Sequence, residues 1–213
     1  MTHPTSLTSH PYGAPPLPRR SLHGATAPLH ASTATFPPGV PAAHPLPARA
    51  QRELAERREL IRQLGLRTDP DDEYDGFARE MAQQADFLYG FVNLFMEEQT
   101  FIGLYQPAAD SGHVIVGRTM DRGHGYCPEV VDRKRALPLP DVHASPRFSG
   151  NHVVDAVGIR AYFGAPLIHD ESGIVLGTVC VVDTEKRPMS EARRLRDITI
   201  ATGSQVMRRI TGE

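Results

Sequence analysis

Two cysteines, two arginines and a few aromatic side chains are the groups in this 213-residue chain whose type and spacing suit chemistry. Cys127 closes a glycine-rich approach, Gly123-His-Gly-Tyr-Cys127-Pro128, where His124 would lower the thiol pKa and favour the reactive thiolate. The competing role is a small side chain packed at the start of a helix. Cys180 sits among apolar neighbours in Gly173-Ile-Val-Leu-Gly-Thr-Val-Cys-Val-Val-Asp183 and reads as core, with a redox pair to Cys127 as the alternative. Arg147 and Arg160 bracket a loop that begins at Asp141-Val-His-Ala-Ser-Pro-Arg-Phe148. Their guanidinium forks suit a carboxylate, a nitrate-like anion or a phosphate, and equally suit internal ion pairs with Asp141 or Asp155. Tyr162 and Phe163 point to opposite sides of one strand, so one of them faces any pocket. Phe148 serves as a ligand contact or as the loop's apolar anchor, and Thr178 shares a strand face with Cys180. The candidate ligand-binding set is Cys127, Asp141, Arg147, Phe148, Arg160, Tyr162 and Thr178, with no residue assigned to catalysis.

Other chemistries find little support. The chain has ten histidines, but five lie in the first fifty residues. The rest (His113, His124, His143, His152, His169) show no close ligand spacing, so no metal is expected. Gly123-His-Gly125 is too short to cradle a phosphate. Neither a Ser-His-Asp order nor paired catalytic carboxylates stand out.

The elements that must hold these residues follow from periodicity. Val175 to Val182 is apolar or small on both faces, the mark of a central strand covered on both sides: Ile174, Leu176, Thr178, Cys180 and Val182 on one face, Val175, Gly177, Val179 and Val181 on the other. Arg160 to His169 reads as its antiparallel partner, turned through His169-Asp-Glu-Ser-Gly173. Gly90–Met96 and Thr100–Gln106 suggest a hairpin, and His113–Met120 a third, weaker strand. Ala136–Leu139 is a short edge strand because Pro138 cannot donate to a ladder interior. Helices are expected over Arg49–Gly65, with Leu54, Ile61 and Leu64 on one face and a Glu53–Arg57 ion pair, and from Asp69-Pro70 to about Asp86, with Tyr74, Phe77, Ala78, Met81 and Ala85 inward. A short helix is expected over Glu129–Arg135. The last helix starts at an N-cap Ser190 and carries Leu195, Ile198, Thr202, Val206 and Ile210. This order gives an α+β fold, an antiparallel sheet with helices packed on it.

Composition bounds the rest. The first fifty residues hold eleven prolines and no Asp or Glu, and residues 1–48 read as a disordered tail rich in Pro, His, Ser and Thr. Residues 49–66 form a helical linker and 67–213 a single domain. The net charge of −2 argues against a general nucleic-acid binder. No apolar run is long enough to span a bilayer, and two cysteines fit a reducing compartment, so a cytoplasmic protein is expected.

Five segments in order then resemble a GAF domain, the small-molecule-sensing relative of the PAS fold, over about Arg52 to Ile210. They are Arg62 to Asp75, Cys127-Pro-Glu-Val-Val, Leu139 to Phe148, Gly158-Ile-Arg-Ala-Tyr-Phe-Gly-Ala-Pro-Leu167, and Leu176 to Thr184. The resemblance implies an antiparallel sheet of about six strands with terminal helices on one face. On the other it implies a pocket capped by the loops between Met120 and Ile159. It is similar to the bacterial subgroup that acts beside histidine-kinase, diguanylate-cyclase and phosphatase domains. The implied function is a non-enzymatic small-molecule-sensing or interaction module, its ligand and cofactor unidentified. The implied partners are a kinase, cyclase or phosphatase, or a second copy joined through the terminal helices. Free methionine-(R)-sulfoxide reductases share a similar Gly-x-Gly-x-Cys run and Asp-Val-His-Ala segment, which makes reduction at Cys127 the alternative. Their catalytic cysteine lies beyond the Asp-Val-His segment, where this chain has none before Cys180. A ligand-free dimerisation scaffold is the third reading. Bilin-binding members usually carry His after the cysteine, where Pro128 stands here, and the cyclic-nucleotide signature Asn-Lys-x-Phe-Asp-Glu is absent.

Overall fold

All nine residues of Val175–Asp183 are buried, so this strand needs cover on both faces and lies inside a sheet. The computed structural model describes residues 46–213, and positions 1–45 of the expected tail lie outside the described residues. Six antiparallel strands form one sheet: β1 (Tyr89–Phe95), β2 (Glu98–Tyr105), β3 (Thr119–Asp121), β4 (Leu137–Leu139), β5 (Ala161–Ile168) and β6 (Val175–Asp183). Their spatial order is β3-β2-β1-β6-β5-β4. The first and last strands thus pair at the centre, from Tyr89 opposite Val182 to Leu94 opposite Gly177.

Three helices cover one face: α1 (Ala48–Gln63), α2 (Asp72–Ala85) and, after a short 3₁₀ turn at Met189–Glu191, α6 (Ala192–Thr211). Asp71 caps α2, its side chain accepting from the Glu73 N–H, and Asp86 ends it in the left-handed conformation. Ala78, Met81, Ala82, Phe163, Val179, Val181, Leu195 and Val206 form the core between helices and sheet. The Met, Phe, Val and Leu side chains among them each contribute about 1.5–3 kcal/mol on full burial. Gly90 and Gly103 let α2 approach closely, since a Cβ at either would collide with the Ala78 or Tyr74 carbonyl.

The opposite face is roofed by shorter pieces: α3 (Cys127–Arg133), a 3₁₀ turn at Val142–Ala144, α4 (Pro146–Ser149) and α5 (His152–Val157). A second core lies beneath them and includes Tyr89, Phe91, Phe101, Tyr126, Val130, Val142, Val153, Tyr162 and Cys180. Tyr162 therefore faces the roof and Phe163 the helices, as their alternation requires.

Four expectations change. The third strand contracts from His113–Met120 to Thr119–Asp121, because the Gln106 side chain occupies the backbone groups of Val116, accepting from its N–H at 2.8 Å and donating to its C=O at 3.4 Å. Ser190 does not cap α6, whose N-cap is Glu191 with no side-chain bond. The faces of β6 shift at its start: Leu167 opposes Gly177 while Ile168 opposes Val175, leaving Leu176 as a bulge. Leu176 consequently joins Val179 and Val181 on the helical side, and Val175 packs with Phe95. Glu53 pairs with Arg49 at 2.8 Å instead of Arg57. Arg57 is buried and donates to two strand-end carbonyls, through Nε to Val175 and through Nη1 to Phe95 at 3.0 Å.

One ion pair ties α2 to the sheet edge. Asp75 accepts from both Nη atoms of Arg118, at 3.0 and 2.7 Å, and from the Leu104 N–H at 2.7 Å. Burial alone would raise the Asp75 carboxyl, but the Arg118 and Leu104 hydrogen bonds outweigh it and hold its pKa below the usual value. A depressed folded-state pKa gives stability that is present above the unfolded carboxylate value of about 3.9 and lost as pH falls through the folded value. Asp75→Asn is expected to lower unfolding free energy by about 1–3 kcal/mol at neutral pH. In urea titrations across the acid range, the gap to wild type should close as pH falls below about 4.

Candidate functional site

Between the sheet and the roof lies a cavity of about 40 Å³, room for roughly three water-sized bodies. Its floor is set by strand alternation: Tyr89 and Phe91 from β1, Phe101 from β2, Tyr162 from β5, and Cys180 and Val182 from β6. Its roof comes from Val116, Met120, Gly125, Tyr126, Cys127, Val153, Val157 and Ile159. Most of this lining is apolar, and the polar groups at its inner end are two thiols and a phenol. The Cys127 Sγ lies 3.6 Å from the Tyr162 hydroxyl and 3.9 Å from the Cys180 Sγ.

Behind the thiols sits a buried polar cluster. Asn93 Nδ2 donates to Gln99 Oε1 at 3.0 Å and to Thr178 Oγ1 at 3.4 Å. Gln99 Nε2 in turn donates to the carbonyls of Asp121 at 2.9 Å and His124 at 2.7 Å. Asn93 Oδ1 is buried without a protein partner, an unsatisfied acceptor beside the cavity's thiols. Hydrogen bonds from the Cys180 thiol, and then from Thr178, Tyr162 and Asn93, pull the Cys127 thiol below its ordinary pKa against the opposing effect of burial. The same contact with Cys127, together with burial, pushes the Cys180 thiol well up. The two thiols therefore share their protons unequally, Cys127 the better acid. His124 plays no part in this and instead lies against the His152 ring at 4.7 Å between centroids.

The pieces of the roof are tied to one another. Asn151, the N-cap of α5, accepts from the Gly125 N–H at 3.1 Å and donates to the Gly125 carbonyl at 2.7 Å. The Tyr126 hydroxyl donates to the Phe148 carbonyl at 2.9 Å, and the two rings meet edge to face. Burial pushes the Tyr126 phenol up to about 12, so it stays a donor.

Of the seven candidate residues, the structure brings Cys127 and Tyr162 to the cavity wall and Thr178 just behind it. Phe148 packs against the outer side of this core. Asp141, Arg147 and Arg160 stand outside the lining: Arg147 pairs with Glu129 at 2.6 Å, and Arg160 with Asp141 at 3.2 Å. Asp141 also accepts from the His143 N–H, and Arg160 Nε is buried without a partner. Asn93, Gln99, Tyr126 and Asn151 were absent from the sequence-based set. Asn93 carries a signal, since a lone amide inside Gly-Phe-Val-Asn-Leu-Phe marks a buried polar group. Among the described residues no three His, Cys, Asp or Glu side chains gather as a metal site, and no helix is long and apolar enough to cross a membrane.

A sheet in the order β3-β2-β1-β6-β5-β4, with helices on one face and a roofed cavity on the other, defines an α+β domain of two unlike layers about one sheet. The family model for the GAF domain matches residues 69–208, and the chain belongs to that family. Among solved structures it is similar to the GAF domain of an Acinetobacter phosphoenolpyruvate-protein phosphotransferase, at 15% identity and a TM-score of 0.50, covering 76% of this chain and 94% of that one. It is also similar to the free methionine-R-sulfoxide reductase of Neisseria meningitidis in complex with its substrate (14%, TM-score 0.47, 79% and 98%). A third neighbour is the chromophore-binding domain of the bacteriophytochrome RpBphP3 of R. palustris (12%, TM-score 0.46, 76% and 62%). At 15% identity the first of these likenesses speaks for the fold alone. A search of curated proteins finds no match.

Proposed function

We propose that this GAF domain is a non-enzymatic small-molecule sensor of bacterial signal transduction, acting in the cytoplasm. Its ligand is taken between the sheet and the roof of residues 120–160. The observation that carries the reading is the cavity itself: an apolar, buried space with a few polar atoms converging at one end, which is how small-ligand sites are built. A ligand larger than about 40 Å³ must lift the roof, whose segments are joined to one another through Asn151, Tyr126 and Arg147 and so would move together. The terminal helices α1 and α6 lie on the opposite face and are the elements through which a kinase, cyclase or phosphatase partner, or a second copy, reads the change. Ligand control of that output needs different affinity for two arrangements of the domain.

The rival, free methionine-(R)-sulfoxide reduction at Cys127, gains one supporting observation, since Cys180 stands 3.9 Å away where a resolving thiol is needed. Against it, the cavity lining contains no charged side chain to hold a zwitterionic amino acid.

Native mass spectrometry of protein purified from its own host is expected to show a retained small molecule. Val157→Phe, which fills the cavity from the roof, should lose that molecule while keeping its circular dichroism; retention in the variant would place the ligand elsewhere. Free methionine sulfoxide should not be turned over, and turnover lost in Cys127→Ser would replace the sensor reading with the enzyme. Light scattering should report a dimer, and a monomer with and without ligand would remove the paired-helix output.

A further inference from the structure

The chain's two cysteines, 53 positions apart, both end at the cavity wall. Their sulfurs are 3.9 Å apart, both side chains are buried, and no other cysteine exists to compete for either. They also belong to different layers. Cys180 is fixed mid-strand in β6, flanked by β1 and β5, whereas Cys127 opens α3 in the roof. Closing to a disulfide requires about 2 Å of approach. The roof can supply it, because Gly123 and Gly125 precede Cys127 and Gly125 already has a positive φ. We propose that Cys127 and Cys180 are an oxidation site, a reversible dithiol–disulfide couple closed by hydrogen peroxide that enters the cavity.

Several features fit a small peroxide. The cavity of about 40 Å³ accepts a molecule with two non-hydrogen atoms and excludes bulky oxidants. The Tyr162 hydroxyl, 3.6 Å from the Cys127 sulfur, can donate to the departing oxygen. Cys127 belongs to the roof and has the Tyr162 hydroxyl at 3.6 Å, while Cys180 is held in the central strand, so Cys127 is the attacking sulfur and Cys180 the resolving one.

The step balances as written. The Cys127 thiolate attacks one peroxide oxygen and the O–O bond breaks, leaving Cys127 sulfenic acid and a hydroxide that takes a proton to become water. Cys180 sulfur then attacks the Cys127 sulfur, the S–O bond breaks, and the oxygen leaves as a second water with the Cys180 proton. Two thiols are oxidised to one disulfide and one peroxide is reduced to two waters. A soluble dithiol reductant reverses the bond by exchange. The oxidised form staples α3 to β6 across the cavity, so the roof can no longer lift. This inference does not depend on the identity, or the existence, of a resident ligand.

The test is to treat the full chain with stoichiometric hydrogen peroxide, unfold it, alkylate it and map it by mass spectrometry. The expected product is lighter by two hydrogen atoms, takes up no alkylating agent, and yields one linked peptide containing Cys127 and Cys180. Dithiothreitol should restore two alkylated thiols. Cys180→Ala should instead give a dimedone adduct at Cys127, and in Cys127→Ala the single remaining thiol should stay alkylatable. Hydrogen exchange of residues 123–133 should slow several-fold in the oxidised wild-type chain, a readout that does not depend on either variant folding. Two free thiols after treatment, over-oxidation of Cys127 without a link, or a bond only between chains would overturn the proposal.

Discussion

The pairing of β1 with β6 at the centre of the sheet imposes the constraint on which the rest of the domain depends. Both strands are buried along their whole length, so neither face can be left to water and two unlike covers are needed. The helical cover is regular: α2 sits on Gly90 and Gly103, and α6 contributes Leu195 and Val206 to a continuous apolar core. The other cover is made of turns and helices of four to seven residues, which cannot match the sheet's surface so completely. The cavity is what remains between a smooth floor and a roof assembled from short pieces. An internal space thus arises from the same division of labour that stabilises the fold.

The polar cluster of Asn93, Gln99 and Thr178 gives that space a direction. Two of the amide and hydroxyl groups bridge the central strand pair, while Gln99 reaches across to the carbonyls of Asp121 and His124 that lead into the roof. Burying such groups is tolerated only when they bond one another, and one acceptor, Asn93 Oδ1, is left over. The apolar space therefore has a polar end, with the Cys127 sulfur and the Tyr162 hydroxyl beside the leftover acceptor.

Much of the fold was legible because each element repeats a simple pattern. The β5–β6 hairpin, the opposite orientations of Tyr162 and Phe163, and the inner face of α2 follow from periods of two and 3.6 residues. The bulge at Leu176 was not, since a one-residue change of phase leaves no mark in an all-apolar run. The site was less legible for a similar reason. Charged residues draw attention, but Asp141, Arg147 and Arg160 spend their charge on holding the roof loops to one another. The cavity itself is walled by residues as distant as Tyr89, Phe101, Val153 and Cys180, which form no local motif. Cys127 was singled out for its neighbour His124, yet what changes its acidity is a strand residue 53 positions later. Only the docking of α3 on β6 makes that contact.

Arg57 gives the first helix a mechanical character. Its guanidinium is held by the carbonyls at the start of β6 and the end of β1, with the Phe95 ring 5.6 Å away, and burial lowers its pKa only to about 10, so it stays charged at neutral pH. A small slide of α1 would strand a cation and two carbonyls together, each at a cost of several kcal/mol or a large fraction of it. The guanidinium therefore works as a locating pin, fixing the register of α1 against the ends of β1 and β6.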